Sequence, residues 1–425
     1  NIQSVEIQFP QHTKKGVTYI DLLEFTSKVS WQNMSDAQYK VNRTDYSLIP
    51  DFIGYRNATP KVEKVITVED NQITTITNRL TTWYLGSGQH SSERWIKMRT
   101  ENEKTFIRNG VKAAQKIKIQ YTEDHTPQGE PLFPMGAPTI IDGQEAKKFR
   151  SINENILLPL ALDYRKNQND QSLKKALYIY DWFNDQGWAD GSSMGTLCFE
   201  KLRSSGYFHS FFLLKEQLFP EQLKRELQTM NWFTMFGACY QLPSHAGEVA
   251  DNLRALAIPK LIYALSQNDK QEREVALTAF KHYMDNALGI APGFFGTFKA
   301  DFSGYHHRGP YHSAYYPHAL YAGALIAYLL HDTPYALSET TLHNLKQGLL
   351  TFRFFCAGLE VPAGTVGRFP KGQQILETLL PAFAYTALSF KEPDKELTAA
   401  FKRILKSTEN QQAITEYISN VNSNL

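Results

Sequence analysis

From Ser151 onward, apolar residues recur at helical spacing in one run after another, with no strand-like segment between them. The runs include "ENILLPLALDYR", "QSLKKALYIYDWFNDQ", "YFHSFFLLKEQLF", "PEQLKRELQTMNWFTMF", "VADNLRALAIPKLIYAL" and "EREVALTAFKHYMDNAL", then "YPHALYAGALIAYLLH", "SETTLHNLKQGLLTFRFF", "ILETLLPAFAYTALSF" and "DKELTAAFKRIL". Such a number is too many for one bundle, so the pattern predicts an all-α domain of helical hairpins set in a ring or solenoid. No strict sequence repeat is visible, so the ring is expected to be irregular. "SINE" predicts a capping box at its start, with Ser151 as the cap and Glu154 closing it.

The start of the chain reads differently. "SVEIQF", "GVTYIDLLEF", "KVITV", "QITTITNRLTTWYL" and "AQKIKIQY" are short, β-branched and aromatic, and several alternate apolar with polar. They predict an antiparallel β-sandwich over residues 1–125, complete or truncated. "TEDHTPQGEPLFPMGAPTIIDG", with four prolines and no periodicity, predicts a linker, assigned to residues 126–150. The helical domain then covers residues 151–425, and a chain of 425 residues is long enough for two such domains.

Charge narrows the function. There are 45 basic and 43 acidic residues and no long block of either sign. That gives no electrostatic support to general binding of nucleic acid or a membrane surface, while local convergence of basic groups on an acidic ligand stays open. No apolar run has the length of a membrane span. Cys198, Cys239 and Cys356 are far apart, which predicts neither a disulfide framework nor a cysteine metal site. The abundant aromatics, 22 Tyr and 26 Phe, suit either large cores or flat platforms for sugars. Trp182, Trp188 and Trp232 are candidates for both uses, with core favoured.

Three loops are rich in glycine and reactive side chains: "DQGWADGSSMGTLCFEKLRSSG", "FSGYHHRGPYHSAYYPHAL" and "GLEVPAGTVGRFPKG". The second, from Phe302 to Leu320, holds four of the twelve histidines, four tyrosines and Arg308. A single loop histidine is more often structural than catalytic, but several titratable rings beside an arginine perturb one another. His307 and Tyr315 can each move a proton, and Arg368, between turn residues in "TVGRFP", can offer its guanidinium to a carboxylate. This set fits abstraction of a proton beside a carboxylate, followed by loss of a group at the β carbon. A metal site built from His306, His307, His312 and His318 is a weaker reading, because Asp301 is the only carboxylate near them in the sequence. A hydrolase with paired carboxylates is weaker too, since the three loops are poor in acidic residues.

"DFSGYHHRGPYHSAYY" resembles the His–Tyr segment of the polysaccharide lyases that include chondroitin ABC lyases and hyaluronate lyases. Asp301 stands six residues before His307, and "HRGPY" fills the His–x–Gly–x–Tyr part. "YLLHDTPYALSETTLHNLKQGLLTFRFF", "GLEVPAGTVGRFP" and "DQGWADGSS" resemble the same lyases in order and spacing. The resemblance implies an incomplete α/α toroid flanked by β domains. It also implies β-elimination of uronate-containing glycosaminoglycans, on a secreted or periplasmic protein that uses no cofactor or metal. By position it makes His307 a base or charge stabiliser, Tyr315 the general acid and also a base, and Arg368 a leaving-group or substrate contact. His306 lies at a spacing from Tyr315 that other members use and stays open as a rival base. Where relatives carry an Asn or His near the uronate, this chain has Cys198 and Phe199, so Arg203, Asn252 and Arg308 are the candidates for neutralising the carboxylate. Tyr311 and Trp188 complete the expected substrate contacts. The family continues into large C-terminal β domains that supply a catalytic-site Glu, whereas this sequence ends at Leu425 in a helical or tail-like stretch: either a C-terminal β domain is missing from this chain, or the partner domain is separate, or the chemistry differs. The rival reading is an acidic-glycan-binding protein whose lyase site has degenerated.

Overall fold

The structure, a computed structural model, describes residues 54–86, 94–123, 126–130, 132, 144–191, 204–367 and 375–407. It is mainly helical. After helical residues at 54–56 come helices α1 (Asp70–Leu85) and α2 (Arg94–Ala114), followed by a short antiparallel pair, β1 (Ile119–Tyr121) with β2 (Pro127–Gly129). Then come α3 (Gln144–Ile152), α4 (Leu158–Asn167), α5 (Asp170–Asp185), α6 (Ser205–Leu214), α7 (Pro220–Thr234), α8 (Ala250–Leu265) and α9 (Lys270–Ala287). A two-residue hairpin follows, β3 (Tyr305–His306) with β4 (Gly309–Pro310), and the chain continues through α10 (Tyr316–Leu330), α11 (Glu339–Phe355), α12 (Leu380–Leu388) and α13 (Lys395–Ser407).

These helices form two rows. Helices α4, α6, α8, α10 and α12 pack each against the next as an inner row, and α5, α7, α9, α11 and α13 lie outside them. The sequences account for the division. Inner helices such as α10, "YPHALYAGALIAYLL", have neighbours on several sides and are apolar nearly all round. Outer helices keep one apolar stripe: α13 buries Leu397, Ala400 and Ile404, spaced three and four apart, with Phe401 and Leu405 flanking them and charged residues on the opposite face. Side-chain caps set the outer starts. Asn169 accepts from the backbone of Gln171 and Ser172, Asp269 from Glu272, and Ser338 from Thr341. Tight connections run from inner to outer helices, while the long loops run from outer helices back to the N-termini of α6, α8, α10 and α12.

Several expectations need correction. The strand predicted over "QITTITNRLTTWYL" is α1. Its Ile73, Ile76 and Leu80 form a helical stripe packed on α4 and α10. The threonines that suggested a strand return their hydroxyls to carbonyls one turn back, Thr74 to Asp70 and Thr75 to Asn71. "AQKIKIQY" is extended only at Ile119–Tyr121, and "KVITV" forms no strand. Helical structure therefore begins well before Ser151, and β2 and α3 occupy parts of the expected linker. "SVEIQF" and "GVTYIDLLEF" lie outside the described residues. The capping box is also absent: Ser151 is inside α3, which runs into a π-helical turn at Asn153–Leu157. Glu154 in that turn instead accepts from Arg150 and from Ser205 of α6. The bulge admits Gly206, whose hydrogen faces the Asn153 carbonyl so closely that a Cβ would stand 2.1 Å away.

The aromatic richness is mostly core. Trp182, Trp188 and Trp232 are all buried. Trp188, expected to contact substrate, stacks on Phe233 with ring centroids 3.6 Å apart and packs against Phe149 and Tyr207. Its indole is enclosed by other aromatic rings, so it offers no face to a ligand.

Candidate active site

The loop from Leu288 to Tyr315 is pinned at many points. Phe298 and Gly304 bridge as in a β-ladder, and Tyr305 donates its backbone N–H to Thr297. Asp301 accepts from both the backbone and the hydroxyl of Ser303, which closes a local turn and holds its carboxyl below the usual range. Gly304 lies flat on the ring of Tyr316, where an added Cβ would come within 1.8 Å. Tyr316 is fully buried and donates its hydroxyl to the Phe302 carbonyl at 2.8 Å. Burial pushes its ionisation far up, so it is a structural tyrosine.

On this base stands the β3–β4 hairpin, whose two-residue turn is His307–Arg308. Both have positive φ, 48° and 66°. That is the combination a tight hairpin turn requires, and Asn-Gly normally supplies it. A non-glycine residue in the left-handed region costs about 1–2 kcal/mol, so two in succession represent strain that a simple connection would not retain. The turn leaves the His307 and Arg308 side chains exposed.

Behind the turn the rings converge. His306 is buried and stacks on Tyr315, centroids 3.9 Å apart and planes 23° from parallel. His307 meets His306 edge-on at 4.0 Å and Tyr315 at 5.5 Å. Tyr311 lies 5.0 Å from Tyr315 and 5.9 Å from His307. Of the residues singled out in sequence, His306, His307, Tyr311 and Tyr315 are thus brought together, with Arg308 beside them on the turn.

Helix α8 supplies two groups that sequence reasoning missed. Asp251 Oδ2 lies 3.4 Å from His306 Nε2, and its Oδ1 is 2.8 Å from the Arg254 guanidinium. The Arg254 guanidinium carbon in turn sits over the Tyr315 ring, 5.2 Å from its centroid. One signal was available: α8 is apolar nearly throughout, so charges at Asp251, Arg254 and Lys260 called for a reason. Lys260 has a structural one, because its buried ammonium caps the carbonyls of Thr234 and Met235, both at 2.6 Å. Asn252, next to Asp251, donates its amide to Glu248 at 3.0 Å.

The third loop reaches the same place. The backbone of His312 donates to the Thr365 carbonyl at 2.9 Å, and the Ser313 hydroxyl to Val366 at 3.1 Å. Gly367, with φ of 65°, lies against Tyr311, where a Cβ would come within 2.5 Å of the ring. Arg368 follows it directly, and both Arg368 and Arg203 lie outside the described residues. His312 itself is structural. It is buried, accepts the Gly304 N–H on Nε2 at 3.1 Å and stacks on Phe355, and burial lowers it to about 4. His318 is likewise lowered to about 4, by burial and then by Arg254. Among the described residues no group of His, Cys, Asp and Glu is arranged to hold a metal ion.

The family described as "Lyase, catalytic" matches residues 59–411. Among curated proteins, the chondroitin sulfate ABC exolyase of Bacteroides thetaiotaomicron is 29% identical over 255 residues, covering 59% of this chain and 25% of that protein. The chondroitin sulfate ABC endolyase of Proteus vulgaris is 24% identical over 429 residues, covering 96% of this chain and 40% of that protein. The chain therefore spans less than half the length of these curated relatives. Among solved structures, Paenibacillus xanthan lyase has a TM-score of 0.62 at 13% identity, covering 83% of this chain and 32% of that one. Streptomyces coelicolor A3 chondroitin AC lyase, solved in complex with chondroitin sulphate, has a TM-score of 0.61 at 11% identity, covering 82% of this chain and 48% of that one. At these identities the structural likeness is one of fold. The family match, by contrast, runs from before α1 to beyond α13 and takes in the whole ring cluster: the chain belongs to the family of lyase catalytic domains.

Proposed function

We propose that this domain cleaves a uronate-containing glycosaminoglycan, of the chondroitin, dermatan or hyaluronan type, by β-elimination. The observation that carries the reading is the exposed, strained His307–Arg308 turn set against the Tyr311 and Tyr315 rings. Family membership supports a lyase, and the curated relatives are named for chondroitin sulfate. The inner and outer helical rows support an incomplete α/α toroid as the fold of this reading. A further β domain would complete the site, on a protein acting in a secreted or periplasmic setting.

In the proposed step the uronate carboxylate is held and its charge offset, with Arg308, Asn252 and Arg203 as candidate partners, which makes the neighbouring C5–H more acidic. His307 or the Tyr315 phenolate takes that proton. The C–H electron pair becomes the C4=C5 double bond, and the C4–O pair leaves with the oxygen. Tyr315 returns a proton to that oxygen, and Arg368 contacts the leaving side. No water is consumed, and one product ends in an unsaturated uronate. General acid–base groups of this kind contribute about a hundred- to ten-thousand-fold. Incubation with chondroitin sulfate, dermatan sulfate, hyaluronan and xanthan, following the absorbance of the unsaturated product, tests the reading. Calorimetric binding of a glycan with no rise in absorbance would replace it with the non-catalytic binder.

A further inference from the structure

We infer that Asp251 and Arg254, one turn apart on α8, are positioning residues for Tyr315, with His306 as the link between Asp251 and the tyrosine ring. This rests on the role proposed above for Tyr315. The two oxygens of one carboxylate face two different groups, His306 Nε2 at 3.4 Å and the Arg254 guanidinium at 2.8 Å. Both of those groups then rest on the same ring: His306 stacks on Tyr315 at 3.9 Å, and Arg254 sits over it at 5.2 Å. Asp251, His306 and Tyr315 are all buried, so water screens this set poorly. A residue that exchanges a proton with substrate must have a defined ring orientation and a balanced charge around it. A carboxylate alone beside the ring would oppose tyrosinate formation, and a guanidinium alone would favour it. The pair fixes the geometry while nearly cancelling the charge.

Among the described residues, His306 and His307 from the hairpin, Tyr311 from the same loop and Arg254 from α8 meet the Tyr315 ring, Asp251 stands behind His306, His318 on α10 is coupled to Arg254 and Asp251, and Arg308 is beside them on the turn. The two α8 groups bring opposite charges to this ring, Arg254 over its face and Asp251 behind His306. Removing Asp251 should therefore ease ionisation of Tyr315, and removing Arg254 should oppose it.

The test uses the full chain labelled with 13Cζ-tyrosine, with the Tyr315 resonance assigned by its loss in Tyr315→Phe. Asp251→Asn should move the titration midpoint of Tyr315 to lower pH by about one unit, and Arg254→Gln should move it up by a similar amount. Arg254→Lys should restore most of the second shift. Identical midpoints in wild type and all variants would overturn the inference. Turnover gives a second reading: Asp251→Asn should lower kcat at least tenfold with KM within about twofold. A raised KM with unchanged kcat would mean that the pair binds substrate instead, which also overturns it. Should Asp251→Asn fail to fold, Arg254→Gln carries the test, since that side chain is part-exposed. The midpoints are read without substrate, so a protein that shifts as expected but eliminates no glycan refutes the lyase reading and leaves the α8 assignment intact.

Discussion

The backbone N–H of His312 donates to the carbonyl of Thr365 at 2.9 Å, and this contact joins the two loops that carry His307 and Arg368. Inner helices α10 and α12 begin side by side, so the loops leading into them arrive at the same end of the inner row. Three groups consolidate the junction: the Ser313 hydroxyl, the buried His312 ring and the bare face of Gly367.

Tyr315→Phe is expected to reduce elimination by about a hundred- to ten-thousand-fold while glycan affinity stays near wild type. Phe keeps the ring that His306 stacks on and removes only the titratable hydroxyl. His307→Ala should also cost heavily, and His306→Ala less. Turnover by product absorbance and affinity by calorimetry check all three. Full activity in Tyr315→Phe refutes its role, and a greater loss at His306 than at His307 reverses the assignment of the base.

Arg308→Gly should stabilise the fold by about 1 kcal/mol, because glycine occupies φ of 66° without steric cost. The same change should weaken binding of an anionic glycan by removing an exposed guanidinium from the turn. Thermal denaturation and calorimetry on one preparation measure both. A lower melting temperature would show that the turn is not strained.

Gly304→Ala should destabilise by about 3 kcal/mol or more, since its Cβ would overlap the buried Tyr316 ring at 1.8 Å. Tyr316 cannot retreat without giving up its bond to Phe302 and its packing on Phe352 and Phe298. A near-wild-type denaturant midpoint would contradict the packing.

Stability should fall as pH drops from about 6.5 toward 4. His312, His318 and His209 are each lowered to about 4 by burial, so the unfolded chain takes up protons that the folded one refuses. Their contribution is complete above the unfolded value near 6.5 and is lost on the way down to 4. For the buried His312 the whole of it amounts to on the order of 3 kcal/mol. Denaturant melts at pH 7, 5.5 and 4.5 should show the decline, and His312→Gln should flatten it. A pH-independent midpoint would disprove it.

Much of this protein follows from the one-dimensional pattern. The 3.6-residue period after Ser151 determined the helices, because an apolar stripe at that spacing buries itself only when wound that way. The Phe302–Leu320 loop stood out through its composition of histidines and tyrosines beside an arginine, although burial makes His312 and His318 part of the packing. Tertiary structure decided the rest. α1 is a helix because α4 and α10 present an apolar surface to Ile73, Ile76 and Leu80, whereas its β-branched residues taken alone fit a strand equally well. Trp188 is core because Phe233 and Phe149 close over it. His312 and His307 are alike in sequence, yet one is buried against Gly304 and Phe355 while the other stands on a strained turn in solvent. The link from Asp251 to His306 and Arg254, and from both to Tyr315, exists only because α8 and α10 are neighbours in the inner row. Contacts between residues distant in the chain are set by packing, and no local pattern encodes them.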